Sequence, residues 1–181
     1  MRQLESILAH QKDLEALCRL KARPPVMRDL IPSVIPDGTL YTVYRYVNKC
    51  APPRGQLPQE ITVFLATPKK RLHASALLCI WERFESLSNS IADRYVRTYE
   101  MYVGASAGAP IYDFNRAWFI IRQYTQRRVA LRTCPKCGQR YVYNREDVSD
   151  IRKCHGCAIY TSNGNPIEEP TPPAELHRNQ A

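Results

Sequence analysis

Apolar residues recur at helical spacing along most of the chain, and the breaks between them fall at proline and glycine. Leu4, Ile7, Leu8, Leu14, Leu17 and Cys18 predict an amphipathic helix over residues 2–21, one that covers either this chain's own core or a partner. Pro24-Pro25 ends it and opens a short helix over Val26 to Ile31, stopped by Pro32. Asp37 reads as the N-cap of a helix to about Cys50, with Leu40, Val43, Tyr44 and Val47 as its buried stripe. The connector from Ala51 to Pro58 is proline-rich and extended. Ile61 to Ala66 fits either a strand or an irregular buried segment.

Thr67-Pro68 supplies an N-cap and an N1 proline for a helix to about Leu87, apolar nearly all round from Ala74 to Trp81 and so the expected centre of the core. A further helix over Asn89 to Val103 buries Ile91, Tyr95, Tyr99 and Tyr102. Asp113 caps a last one with Phe114, Ala117, Trp118, Ile121 and Tyr124 inward. The pattern is mainly α. Residues 1–130 read as a helical domain containing a helix-turn-helix-like pair, residues 131–160 as a small metal module, and residues 161–181 as a polar, proline-rich, disordered tail.

The metal reading rests on Cys134-Pro-Lys-Cys137 and Cys154-His-Gly-Cys157, with a hairpin-like run, Gln139 to Asn144, between them. Two residues between paired cysteines let a tight turn aim both sulfurs at one point, with Gly138 and Gly156 giving the backbone its freedom. Four thiolates suit one tetrahedral, structural Zn2+ per chain, held by Cys134, Cys137, Cys154 and Cys157, with no position left open for catalysis. A redox pair or an iron–sulfur cluster fits less well, since there are two motifs and no βαβ setting. His155 reads as a solvent-facing neighbour of the site. Cys18, Cys50 and Cys79 read as buried thiols, and the odd total of seven cysteines suits a reducing, cytoplasmic compartment. His73, on the most apolar helix, reads as a core residue. There is no catalytic motif and no stretch long enough to span a bilayer, so neither an enzyme nor a membrane protein is expected.

A net charge of +9 sharpens the picture because of its placement: residues 104–157 hold ten Lys and Arg against four acidic residues. Candidate DNA contacts fall in three groups. Thr39, Thr42, Arg45, Tyr46 and Lys49 form the outward row of the second helix of the pair, which either reads bases or merely packs. Arg54 on the connector and Lys69, Lys70 and Arg71 in a first helical turn, unfavourable against the helix dipole unless an anion lies near, are candidate backbone contacts. Arg127, Arg128, Lys136, Arg140 and Arg145 surround the cysteines. The same composition permits an RNA-binding or ribosome-associated zinc ribbon.

Gly38-Thr-Leu-Tyr-Thr-Val-Tyr44, Pro52-Pro-Arg-Gly-Gln-Leu-Pro58, Leu72-His-Ala-Ser75, Arg116-Ala-Trp118 and the four cysteines together resemble the FlhC family of transcriptional activator subunits. The resemblance implies zinc bound by the four cysteines, a hetero-oligomer with a small helical FlhD-like subunit, and activation by RNA polymerase at double-stranded promoter DNA. The shorter first helix, Tyr41, Tyr44 and Tyr46 on the candidate reading helix, and the acidic tail depart from flagellar members. They point toward the branch carried on conjugative elements (SetC- or AcaC-like), with activation of flagellar genes as the alternative.

Overall fold

Short amphipathic segments cannot stand alone in water, so each must find an apolar surface, and here most of them find the same one. The computed structural model describes residues 10–31, 35–53, 55–152 and 154–162. In chain order these form α1 (Gln11–Arg19), α2 (Pro24–Leu30), α3 (Asp37–Asn48), α4 (Thr62–Leu65), α5 (Pro68–Arg83), α6 (Ile91–Ala105), α7 (Phe114–Thr125), β1 (Val129–Thr133), β2 (Arg140–Asn144), a 3-10 turn (Val148–Arg152) and α8 (His155–Ser162). The architecture is mainly helical with one antiparallel hairpin, Val129 opposite Asn144 and Thr133 opposite Arg140.

α5 is the hub: α4, α6, α7, both strands and α8 all pack against it. Its start follows the pattern read from sequence, since Thr67 Oγ1 accepts from Lys70 N at 3.2 Å and Pro68 occupies the first turn, where a missing N–H costs nothing. Asp113 caps α7 in the same way, accepting from Arg116 N at 2.8 Å. Ala74, Leu77, Leu78 and Trp81 of α5 meet Tyr95 and Tyr102 of α6 and Trp118, Ile120 and Ile121 of α7 in one continuous core. His73 closes part of it, its Nδ1 2.8 Å from the Tyr102 hydroxyl. α1 and α2 build a second wing on α3.

Several expectations need correction. Within the 2–21 helix, Gln11–Arg19 is helical and residues 1–9 lie outside the described residues. Pro36, not Asp37, occupies the N-cap of α3; Asp37 is the first helical residue and pairs with Arg28 of α2. Residues Thr62–Leu65 make a helical turn, because Phe64 and Leu65 are both buried against α5, which strand alternation would not allow. α5 stops at Arg83 rather than near Leu87. Ile91 is exposed. α7 is not the last helix, since α8 begins at His155; the segment read as a disordered tail is helical to Ser162 and from residue 163 lies outside the described residues. Cys18 is buried, and burial pushes its thiol up to about 11, but Cys79 is half-buried and Cys50 exposed.

The largest correction concerns Arg71, expected to face a phosphate. It is 5% exposed. Its guanidinium grips Asp150 of the 3-10 turn through Nη1–Oδ2 at 2.7 Å and Nη2–Oδ1 at 2.8 Å, and also donates to the carbonyls of Leu65 and Val142. Asp150 Oδ2 in turn accepts from Asn144 N at 2.7 Å, so carboxylate and guanidinium are matched by charge and by hydrogen bonds. Arg71→Ala is expected to cost about 3–5 kcal/mol, by stranding a buried carboxylate. Urea denaturation of the metal-loaded protein checks it, and a loss under about 1 kcal/mol would mean the pair is effectively solvated.

Candidate metal centre and nucleic-acid surface

The first cysteine pair sits at the tip of the β1–β2 hairpin. Cys134 N donates to Gln139 O and Gly138 N to Cys134 O, both at 2.9 Å, which closes a turn whose last corner, Gly138, needs φ +70. The second pair straddles the start of α8: Cys154 precedes the helix and Cys157 lies in its first turn, so both sulfurs share one face. Gly156 serves for space rather than for φ. A Cβ there would stand 3.3 Å from Cys137 Sγ and clash with the mobile end of Gln139.

These turns bring all four ligand atoms within 4.8 Å of one another. Cys134 and Cys157 sulfurs are 3.6 Å apart, as are those of Cys137 and Cys154, so the closest recorded approaches join one motif to the other. That is too long for a disulfide and close to the roughly 3.8 Å edge of a tetrahedron with 2.3 Å metal–sulfur bonds. The four cysteines could therefore hold a metal ion. Burial pushes the Cys134 thiol up, but N–H groups of Cys137 and Lys136 donate to it, and the net brings it down to about 7. Burial raises Cys157 and Cys154, reinforced by the neighbouring thiols.

Beneath the sulfurs, Tyr141 packs with Cys134 and Cys154 in a small cluster of its own. The hairpin's base belongs to the main core through Val129 and Val142. Ser75 of α5 donates to Arg71 O and accepts from Val142 N at 2.9 Å, a second polar fastening between hairpin and hub. His155 is buried, not solvent-facing: α8 packs on α5 and places its Nδ1 3.4 Å from Ser75 Oγ. Ser75, Asp150 and His155 carried no sequence signal for this role, because their partners lie 67 to 80 residues away.

The candidate DNA residues fall in separate places. On α3, Thr42, Arg45, Tyr46 and Lys49 are exposed and Thr39 is half-buried, while Leu40 and Tyr44 face inward. α3 is held by α1 and α2, whereas the hairpin is held by α4, α5 and α7, so the two surfaces ride on different parts of the core. Lys136 is exposed at the hairpin tip, and Arg127, Arg128 and Arg145 are exposed at its base. Arg140 is partly neutralised by Glu82 of α5, Nη1 to Oε2 at 2.7 Å. Lys69 is exposed, Lys70 donates to Val63 O at 2.9 Å, Arg71 is interior, and Arg54 lies outside the described residues.

The family model for the flagellar transcriptional activator (FlhC) matches residues 3–166. The chain belongs to the FlhC family. Relatives named flagellar transcriptional regulator FlhC include one from Verminephrobacter eiseniae, 27% identical over 77% of this chain and 78% of its own length. Another from Nitrosomonas eutropha is 23% identical over 86% of this chain and 84% of the relative. A third, from Cupriavidus pinatubonensis, is 30% identical over 70% of this chain, which spans only 60% of that relative. The FlhC description is of a transcriptional activator, not an enzyme. No helix among the described residues is long and apolar enough to cross a membrane.

Because Cys154 and Cys157 hold their protons in the metal-free protein, metal binding must displace protons, and affinity should fall as pH is lowered. Calorimetry near pH 7 in buffers of different ionisation enthalpy should show about two or more protons released per metal. Cys154→Ser should lose the metal while keeping much of the helical circular dichroism; full metal content in that variant would mean the ligands are other residues.

Proposed function

We propose that this FlhC-family chain is the DNA-binding subunit of a hetero-oligomeric transcriptional activator. In this reading it carries one structural Zn2+ on Cys134, Cys137, Cys154 and Cys157, and works with a small helical FlhD-like subunit and RNA polymerase on double-stranded promoter DNA. The observation that carries the reading is a rigid cationic platform. The cysteine hairpin is bolted to α5 through Arg71 and Asp150, while Lys136, Arg127, Arg128 and Arg145 stand exposed around it. A platform of that kind can neutralise phosphates without first being ordered. Arg71 leaves the set of DNA contacts, and Arg140 contributes less than its neighbours because Glu82 already pairs with it.

The exposed row of α3 is the better candidate for reading base edges, since it offers hydroxyl, aromatic and guanidinium groups at helical spacing. Its tyrosines and the modest identity to flagellar regulators support promoters of conjugative-transfer genes as targets. Gel-shift or anisotropy measurements with the partner subunit, comparing conjugative-transfer promoters, flagellar promoters and an RNA competitor at moderate salt, decide among these. No promoter preference under those conditions would overturn the reading, and retention of RNA over duplex would replace it.

Two variants test the division of labour. Arg45→Ala should cost about 1–3 kcal/mol on operator and relax specificity at one or two positions. Lys136→Ala should weaken operator and scrambled duplex alike and make the slope of log affinity against log salt shallower by about one unit. If Arg45→Ala weakens both duplexes equally while Lys136→Ala alone erases the preference, the hairpin is the reader and α3 is not.

A further inference from the structure

Between the proline-rich connector and α7 lies a groove of about 490 Å³ lined by Arg23, Arg122, Arg128, Gln56, Gln126 and Trp118 among others. Its charge is one-sided. The groove on the other flank of the connector sets Arg23, Lys70 and Arg116 against Glu60 and Asp113. A third sets Arg94, Arg127 and Arg145 against Glu82 and Glu85. The groove beside α1 pairs Arg19 with Glu15. Among the described residues, the Arg23–Arg122–Arg128 groove has three guanidiniums and no carboxylate in its lining. Asp29 accepts from Trp118 Nε1 at 3.0 Å and does not line it.

The three cations are held in ways that favour an added anion. Arg23 donates through Nη1 to Gln56 O at 3.2 Å and through Nη2 to Gly55 O, both neutral acceptors, and its Nε is buried with no acceptor among the described residues. A guanidinium so desolvated and met only by carbonyl dipoles is under-compensated, and a nearby anion would relieve it. Arg122 lies over the Trp118 ring, its Cζ 5.1 Å from the centroid, which fixes the plane of its donor fork. Arg128 is exposed at the rim just before β1, and the Gln56 and Gln126 amides add neutral donors.

We propose that this groove is an anion site that seats phosphate groups through Arg23, Arg122 and Arg128, whether from a nucleic-acid backbone or from a soluble phosphate compound. The backbone source rests on the function proposed above; the soluble source does not. Planar, fixed guanidiniums flanked by amide donors suit a tetrahedral oxyanion with several acceptor oxygens.

The test uses the metal-loaded full chain, with inorganic pyrophosphate followed by calorimetry and a scrambled duplex followed across a salt series in the presence of the partner subunit. Arg122→Gln/Arg128→Gln is compared with wild type, with Arg128→Gln alone as an exposed change that leaves the core untouched, and with Arg83→Gln as an exposed arginine outside the groove. A soluble source predicts that pyrophosphate binds wild type and weakens about tenfold or more in the double variant, with an intermediate loss in Arg128→Gln, whether or not duplex binds. A backbone source predicts a duplex salt slope shallower by about two units in the double variant and about one in Arg128→Gln. Either outcome upholds the site. It is overturned if both probes bind the groove variants as they bind wild type, if Arg83→Gln matches the Arg128→Gln loss, or if wild type binds neither probe.

Discussion

A guanidinium can be buried only where its charge and its donors are met, and the packing of this protein follows from how Arg71 meets that condition. Its partner Asp150 stands 79 residues away on the turn that follows the hairpin, and the remaining donors go to carbonyls of the α4 corner and of β2. One side chain therefore fixes three elements against the start of α5. Such a pair adds little net stability over an apolar substitute of the same shape, because desolvation offsets most of the attraction. What it contributes is position: any other docking of the hairpin would leave either the carboxylate or the guanidinium unmatched.

That constraint complements the one at the cysteines. The hairpin and α8 are too small to enclose a core, and around the sulfurs they bury little beyond Tyr141. A metal on four thiolates would hold the tip together, and the Arg71–Asp150 and Ser75–Val142 contacts hold the base to the hub. Neither fastening substitutes for the other. With both in place, a segment rich in arginine keeps its exposed cations on a fixed frame, where like charges would otherwise push a flexible loop apart.

The parts of this arrangement legible in the sequence are those set by neighbours along the chain. Caps at Thr67 and Asp113, the N1 proline of α5, the inward stripe of α7 and the two cysteine turns all depend on contacts within a few residues. The misreadings share the opposite character. Arg71 in a run with Lys69 and Lys70 looks like a solvated basic turn, and only a carboxylate brought in by the hairpin makes it interior. His155 looks exposed beside a metal turn until α8 lies down on α5. β1, whose Val129-Ala-Leu131 shows no alternation, is a strand because β2 pairs with it. Tertiary context, in each case, overrode a sound local inference.

The α3 surface obeys a different economy. Its row of polar residues is exposed, yet two of its members already have local partners: Thr42 Oγ1 donates to Gly38 O at 2.8 Å, and Lys49 Nζ lies 4.5 Å from the centre of the Tyr46 ring. Lys49 is also held by the backbone, at a left-handed C-cap with φ 55. Such contacts are weak, on the order of 0.5–1 kcal/mol for an exposed cation over an aromatic ring, so an acceptor on a partner surface can displace them. They nevertheless narrow the rotamers that long side chains sample before binding, which lowers the ordering entropy that a newly formed interface must overcome. Arg45, the side chain on that row with the most donors, has no hydrogen bond or ion pair recorded among the described residues. It is the group on α3 with the most to gain from a partner surface.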